Sequence, residues 1–176
     1  MANTYLTRTQ SSSPTSDKIG TMSFWIKRGA ISVSPSQFLT SVFQDSSNRI
    51  QFYLDSTDDN FKIYQQLGGS LSIRITTSKT FRDVSAWYHI VVAFDTTQST
   101  STDRIKVYVN GVQETSFSDT TYPSLDAQVF LTKGTSFNIG AYNETSPQDY
   151  FDGSMSHIHF IDGTAYDASA FGETDA

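Results

Sequence analysis

The chain has 176 residues and a formal charge of −6, with 18 Asp and Glu against 12 Lys and Arg, and no cysteine. That length suits one domain spanning residues 1–176. The acidic balance excludes a protein built to neutralise nucleic-acid phosphates, and the missing thiols exclude disulfide and thiolate-metal frameworks. Serine and threonine supply 48 residues and glutamate only three, a bias toward strands and away from helices.

Alternation carries most of the remaining signal, because successive side chains on a strand point to opposite faces. Short runs at 5–9, 22–28 and 38–44 read as the first strands. In 48–55, Ile50, Phe52 and Leu54 share one face while Gln51, Tyr53 and Asp55 share the other. Phe61 and Ile63 then oppose Lys62 and Tyr64, and Leu71, Ile73 and Ile75 oppose Ser72, Arg74 and Thr76. The segment 87–94 (WYHIVVAF) is apolar on both faces, which suits a central strand covered on both sides. Its five apolar residues at 90–94 form the longest such run, too short for a membrane crossing. Residues 1–20 also lack the basic start and apolar stretch of a secretory leader. Ile105, Val107 and Val109 oppose Lys106 and Tyr108. The Asn110-Gly111 pair that follows is the strongest hairpin signal, since a type I′ turn takes positive φ at both central positions. Strands at 137–142 and 155–161 and a short helical turn at 167–171 complete the chain. About ten or more strands in this length imply an all-β protein, a two-sheet antiparallel sandwich.

Several side chains invite chemistry. Gln51, Tyr53, Lys62, Tyr64, Gln66, Arg74, Lys106 and Tyr108 all oppose apolar positions. If their strands share a sheet, three tyrosines with amide and cationic neighbours line one open surface. Tyr53, Tyr64, Arg74, Lys106 and Tyr108 are its leading ligand-binding candidates, for a glycan or a protein partner. The competing reading is that tyrosine is simply a good strand residue with useful cross-strand contacts. His157 and His159, two apart on a strand, share a face and hold zinc only if His89 or an aspartate joins them. Asp58 and Asp59 lie in a turn and point apart. No G-x-S-x-G elbow and no phosphate-cradling glycine loop occurs. Charge is uneven: residues 1–109 hold 11 basic and 8 acidic side chains, and 110–176 hold 1 and 10. Either the two parts pair inside one closed sandwich, or the second forms an acidic rim for a cation or a basic partner.

Five segments in order, 22–28 (MSFWIKR), 87–95 (WYHIVVAFD), 105–111 (IKVYVNG), 137–140 (FNIG) and 150–163 (YFDGSMSHIHFIDG), resemble the strands of the laminin G-like, concanavalin A-like lectin/glucanase superfamily. The closing stretch, FDG then HIHFIDGTAYDASAFGE, resembles a variant found in structural proteins of tailed, particularly marine, bacteriophages. The resemblance implies a jelly-roll of two antiparallel sheets, with ligands on the concave face or at one rim. It implies that Trp25 and Trp87 are fold residues and that Asp152-Gly153 sets the turn into the last long strand. Metal sites of this fold need clustered carboxylates with an Asn; Asn143, Glu144, Asp149 and Asp152 are the nearest approach, making Asp149 and Asp152 the calcium candidates. Its hydrolases carry an E-x-D-x-E strand that is missing here. The expectation is a non-catalytic virion component without a resident cofactor, a capsid decoration or fibre module. It would sit on the virion surface as a homo-oligomer, contacting other virion proteins or glycans, with no nucleic acid and no membrane insertion. A freestanding lectin-like domain is the alternative, and a polysaccharide-cleaving enzyme the third.

Overall fold

Fourteen strands run through the computed structural model, which describes residues 4–129 and 135–172, and the longer ones fall where the alternation predicts. In chain order they are β1 (Leu6–Thr9), β2 (Ile19–Arg28), β3 (Gln37–Asp45), β4 (Asn48–Leu54), β5 (Asn60–Leu67), β6 (Ser70–Thr80) and β7 (Tyr88–Asp95). Then come β8 (Ile105–Val109), β9 (Val112–Gln113), β10 (Phe117–Thr121), β11 (Ser136–Ile139), β12 (Tyr142–Asn143), β13 (Pro147–Gln148) and β14 (Gly153–Asp162). They build a seven-stranded sheet, β1-β11-β3-β4-β5-β6-β10, a five-stranded sheet, β14-β2-β7-β8-β9, and a β12-β13 hairpin. Every pairing of these strands is antiparallel. The expected all-β two-sheet sandwich is what the chain forms.

The inward faces close on one core. Ile50, Phe52 and Leu54 from β4, Phe61 and Ile63 from β5, Phe24 and Ile26 from β2 and Ile90, Val92 and Phe94 from β7 are all buried. Each such side chain contributes about 1.5–3 kcal/mol by leaving water, which fixes the register because a one-residue slip would turn every one of them outward. Asn110 and Gly111 take φ of 51° and 82°, as the β8–β9 turn requires. β7 is covered on both sides: Val91, on its outer face, is as buried as Val92, and Phe171 of the C-terminal segment packs against nearby His89.

Some predicted elements change on folding. The strand expected over 137–142 breaks at Gly140 (φ 80°) into β11 and β12. β14 carries an irregularity between Ser156 and His159, with His157 at φ 46°, so the two histidines do not follow simple alternation. In β6 the register shifts between its pairings with Gln65 and Gln66, bringing Leu71 opposite Gln66 instead of into line with Ile73. The turn at 167–171 is a 3-10 turn, Ala168–Phe171, capped by the Asp167 carboxylate accepting from the Ser169 N–H.

Asp59 is the largest departure. Instead of facing water beside Asp58 it is fully buried, with φ 57°. The Arg28 guanidinium donates to Asp59 Oδ1 at 2.8 Å and to the Phe81 carbonyl at 2.7 Å, while Arg82 Nε donates to Oδ2 at 3.0 Å. The Ser32 N–H and Oγ–H donate to the two carboxylate oxygens at 2.8 and 2.9 Å. Burial pushes this carboxyl up, but the hydrogen bonds from Ser32, Arg28 and Arg82 win and hold its pKa at about 2. The knot ties the end of β2, the 31–32 loop, the β4–β5 turn and the β6–β7 connection into one corner.

Candidate functional site

The polar faces of β4, β5 and β6 form one outer surface because these three strands are neighbours in the seven-stranded sheet. Cross-strand partners share a face. The register sets Tyr53 beside Lys62, and lines Gln51, Tyr64 and Arg74 across the three strands. They surround a cleft of about 280 Å³ lined by Tyr53, Lys62, Tyr64, Arg74, Thr76 and Asp119. Lys62 pairs with Asp55 at 2.9 Å, and Arg74 with Asp119 of β10 at 3.3 Å. Burial pushes the Asp55 carboxyl up, yet hydrogen bonds from Lys62 and from the Thr57 and Asp58 N–H groups leave it below the usual carboxylate value. It is held as an ion, unsuited to donating a proton.

Aromatic contacts extend the surface toward the β12-β13 hairpin. Tyr53 stacks on Phe38 at 5.0 Å between ring centroids, Phe38 on Tyr142 at 4.9 Å, and Phe43 meets Tyr142 edge-on at 5.8 Å. The hairpin is fastened to β3 by the Ser41 hydroxyl donating to the Ala141 carbonyl at 2.8 Å. Burial raises the Tyr53 and Tyr142 phenols above their ordinary value. Tyr64 stands between Arg49 and Arg74, whose Cζ atoms lie 5.7 and 6.0 Å from its ring centroid.

Lys106 and Tyr108 do not join this surface. They sit on β8, opposite Ala93 and Val91 of β7 in the five-stranded sheet, so the core separates them from Tyr53, Tyr64 and Arg74. Lys106 pairs there with Asp103 at 3.3 Å. The five predicted binding residues therefore divide three and two between the sheets. The residues the sequence reading missed are Arg49, Phe38, Tyr142, Thr76 and Asp119. Arg49 continues the 51, 53 alternation and was legible in principle, whereas Phe38, Tyr142 and Asp119 arrive through long-range pairing.

The histidines also meet, on the outer face of the five-stranded sheet. Ser23, Trp25, His89, His157, His159 and Phe171 line a cavity of about 350 Å³. His89 stacks on Trp25 at 4.7 Å, and its Nε2 lies 2.9 Å from Ser23 Oγ. Phe171 packs against His89 and His159 at 6.2 and 5.9 Å. Burial, then the nearby His159, lowers the His89 pKa. Trp25 is thus engaged with His89, while Trp87, just ahead of β7, is 40% exposed.

The calcium candidates do not draw together. Asp149 (φ 52°) accepts from the Phe38 N–H through its carbonyl, and Asp152 meets Gly29 at the far end of β2. Among the described residues no three His, Asp or Glu side chains converge in a way that could hold a metal ion. No helix is long and apolar enough to cross a membrane among the described residues. Three ion pairs join the basic and acidic parts of the chain, Lys18 with Asp126, Arg74 with Asp119 and Lys79 with Glu114.

The family model described as the concanavalin A-like lectin/glucanases superfamily matches residues 2–168. No curated protein sequence matches the chain. Among solved structures, a heptameric SAP-like pentraxin from Limulus polyphemus superposes with a TM-score of 0.58 at 16% identity, covering 89% of this chain and 68% of its own. Domain 4 of an extracellular arabinanase from Geobacillus stearothermophilus, in complex with arabinotriose, gives 0.59 at 20%, covering 86% and 64%. A sialidase CBM40 domain from Ruminococcus gnavus, bound to α2,3-sialyllactose, gives 0.56 at 12%, covering 82% and 75%. At these identities the likeness is one of fold.

Proposed function

The chain belongs to the concanavalin A-like lectin/glucanases superfamily, and from that premise we propose that it is a non-catalytic glycan-binding domain whose ligand lies across β4, β5 and β6. The observation that carries this reading is the cleft beside Tyr53, Tyr64, Lys62 and Arg74. At about 280 Å³ it lies near the lower end of small-ligand sites, a size for one or two sugar rings. It combines phenol, hydroxyl and carboxylate hydrogen-bonding groups with cations, a mixture able to orient a sugar's hydroxyls. The arabinotriose- and sialyllactose-bound neighbours support the class of ligand. Against hydrolysis, the two carboxylates nearest the cleft, Asp55 and Asp119, are each ion-paired to a cation, and Asp55 is held below the usual carboxylate value, unlike the raised-pKa acid that glycoside cleavage uses.

The setting we propose is the outside of a tailed-phage particle, as a decoration or fibre module that contacts other virion proteins and repeats as a homo-oligomer. The support is the resemblance read from the closing stretch, FDG at 151–153 and HIHFIDGTAYDASAFGE at 157–173, to phage structural proteins. A glycan array tests the first part: binding is lost on Tyr64→Ala with the thermal melt unchanged. If Tyr53→Ala, Tyr64→Ala and Arg74→Gln all bind as the parent does, this surface is not the site. Mass spectrometry of purified particles tests the second, and absence of the chain from them removes it.

A further inference from the structure

We infer that the ligand of this face is an acidic saccharide whose carboxylate or sulfate is received by Arg74 and Arg49; the inference rests on the glycan-binding reading above. Neighbours of this fold hold a neutral and an acidic ligand alike, so the choice must come from this chain's own side chains. Its aromatic rings are already occupied. Tyr53 is stacked on Phe38, and Tyr64 lies between two guanidinium groups. Tyr64 thus serves to orient the two arginines, of which Arg74 lines the cleft while Arg49 stands on the other side of the ring with its Nε buried. A guanidinium held against a ring is pre-organised for planar, two-pronged recognition of an oxyanion.

The local charge is near balance in a protein with a formal charge of −6: Arg49, Lys62 and Arg74 stand against Asp55 and Asp119, with Glu144 and Asp149 beyond Tyr142. Lys62 is retained by Asp55, both side chains being largely covered. Arg74 and Asp119 are 44% and 51% exposed and 3.3 Å apart, a pair that water and salt already weaken, so a ligand anion can take the carboxylate's place. Arg49 donates to the Ser46 carbonyl at 2.9 Å and makes no ion pair among the described residues. Both Cζ atoms lie within 6.0 Å of one ring centroid, so two acidic groups on neighbouring sugars can be met together.

The test is calorimetric titration of the whole chain with polygalacturonate, dextran sulfate and uncharged dextran, at low and high salt, beside a neutral-glycan array. Binding to an acidic polymer that weakens with salt is expected, with Arg74→Gln and Arg49→Gln each lowering affinity about 10- to 100-fold. Lys27→Gln, on β2 of the other sheet, is expected to leave it unchanged. Preference between polygalacturonate and dextran sulfate tells carboxylate from sulfate, and either supports the inference. Binding weakened equally by Lys27→Gln is unspecific charge attraction and overturns it. Neutral glycans bound in a Tyr64-dependent way, with both arginine variants at parental affinity, overturn the acidic class but leave glycan binding standing. If no glycan of either kind binds, both readings fall. Thermal melts of the arginine variants, whose side chains lie outside the core, separate lost binding from lost folding.

Discussion

Replacing Asp59 by Asn probes the buried corner most sharply. The substitution keeps the side chain's size but removes the charge that faces Arg28, whose side chain is 1% exposed. Arg28 Nε already lacks a partner, so the guanidinium is left with the Phe81 carbonyl as its one strong acceptor. Stranding a buried ion in this way costs about 3–5 kcal/mol, roughly a fifth or more of the stability of an ordinary domain. For a chain this long the melting temperature should fall by about 6–20 °C. The double variant Asp59→Asn with Arg28→Met should regain most of the loss, because an apolar replacement of the whole pair is close to neutral. The same corner sets an acid limit. Asp59 has a pKa of about 2 against an ordinary 3.8, so it stabilises the fold fully above pH ~4, by about 2 kcal/mol, and that contribution disappears as pH falls toward 2. Urea unfolding of the parent and the two variants from pH 7 to pH 3 measures all of this. An Asp59→Asn variant within about 1 kcal/mol of the parent, or a double variant weaker than the single, would refute the account of a charge balanced in a dry corner.

Two further outcomes are expected. His89, whose pKa burial and His159 depress below 6.5, favours folding in its neutral form. Stability should therefore be full above pH ~6.5 and decline as pH drops below it, and His89→Phe should flatten that slope in pH-dependent melts. Gly153→Ala should cost at least about 2 kcal/mol in urea: a Cβ there would lie 2.2 Å from the Lys27 carbonyl oxygen and 2.9 Å from the Phe151 ring, on a backbone at φ 156°.

Strand faces were legible in the sequence because one side of each strand must be apolar to be buried. Ile50, Phe52 and Leu54 announce the core and Gln51 and Tyr53 the exterior without reference to any other segment. Which sheet a strand enters is set by pairing across long stretches of chain, and local alternation carries no record of it. Tyr108 and Tyr64 look equivalent in sequence yet end on opposite sides of the molecule. β10 (FSDTT) escaped notice for a related reason: at a sheet edge it buries little, so nothing selects an apolar face. Asp59 was misjudged because its partner Arg28 lies 31 positions earlier. A carboxylate beside another in a turn is normally solvated, and only the arrival of two guanidiniums makes its burial tolerable. The two histidines reach one cavity with His89 even though β14 takes in an extra residue at His157.

Because the apolar layer of Phe24, Phe52, Phe61 and Ile90 stands between the sheets, the outward positions of β5 and β8 share no neighbour. Changes at such separated sites combine additively. A lineage carrying this domain is therefore free to rewrite one side for a new surface while the reverse drifts on its own schedule, and a laboratory can evolve the two halves of the exterior in separate libraries and merge the winners.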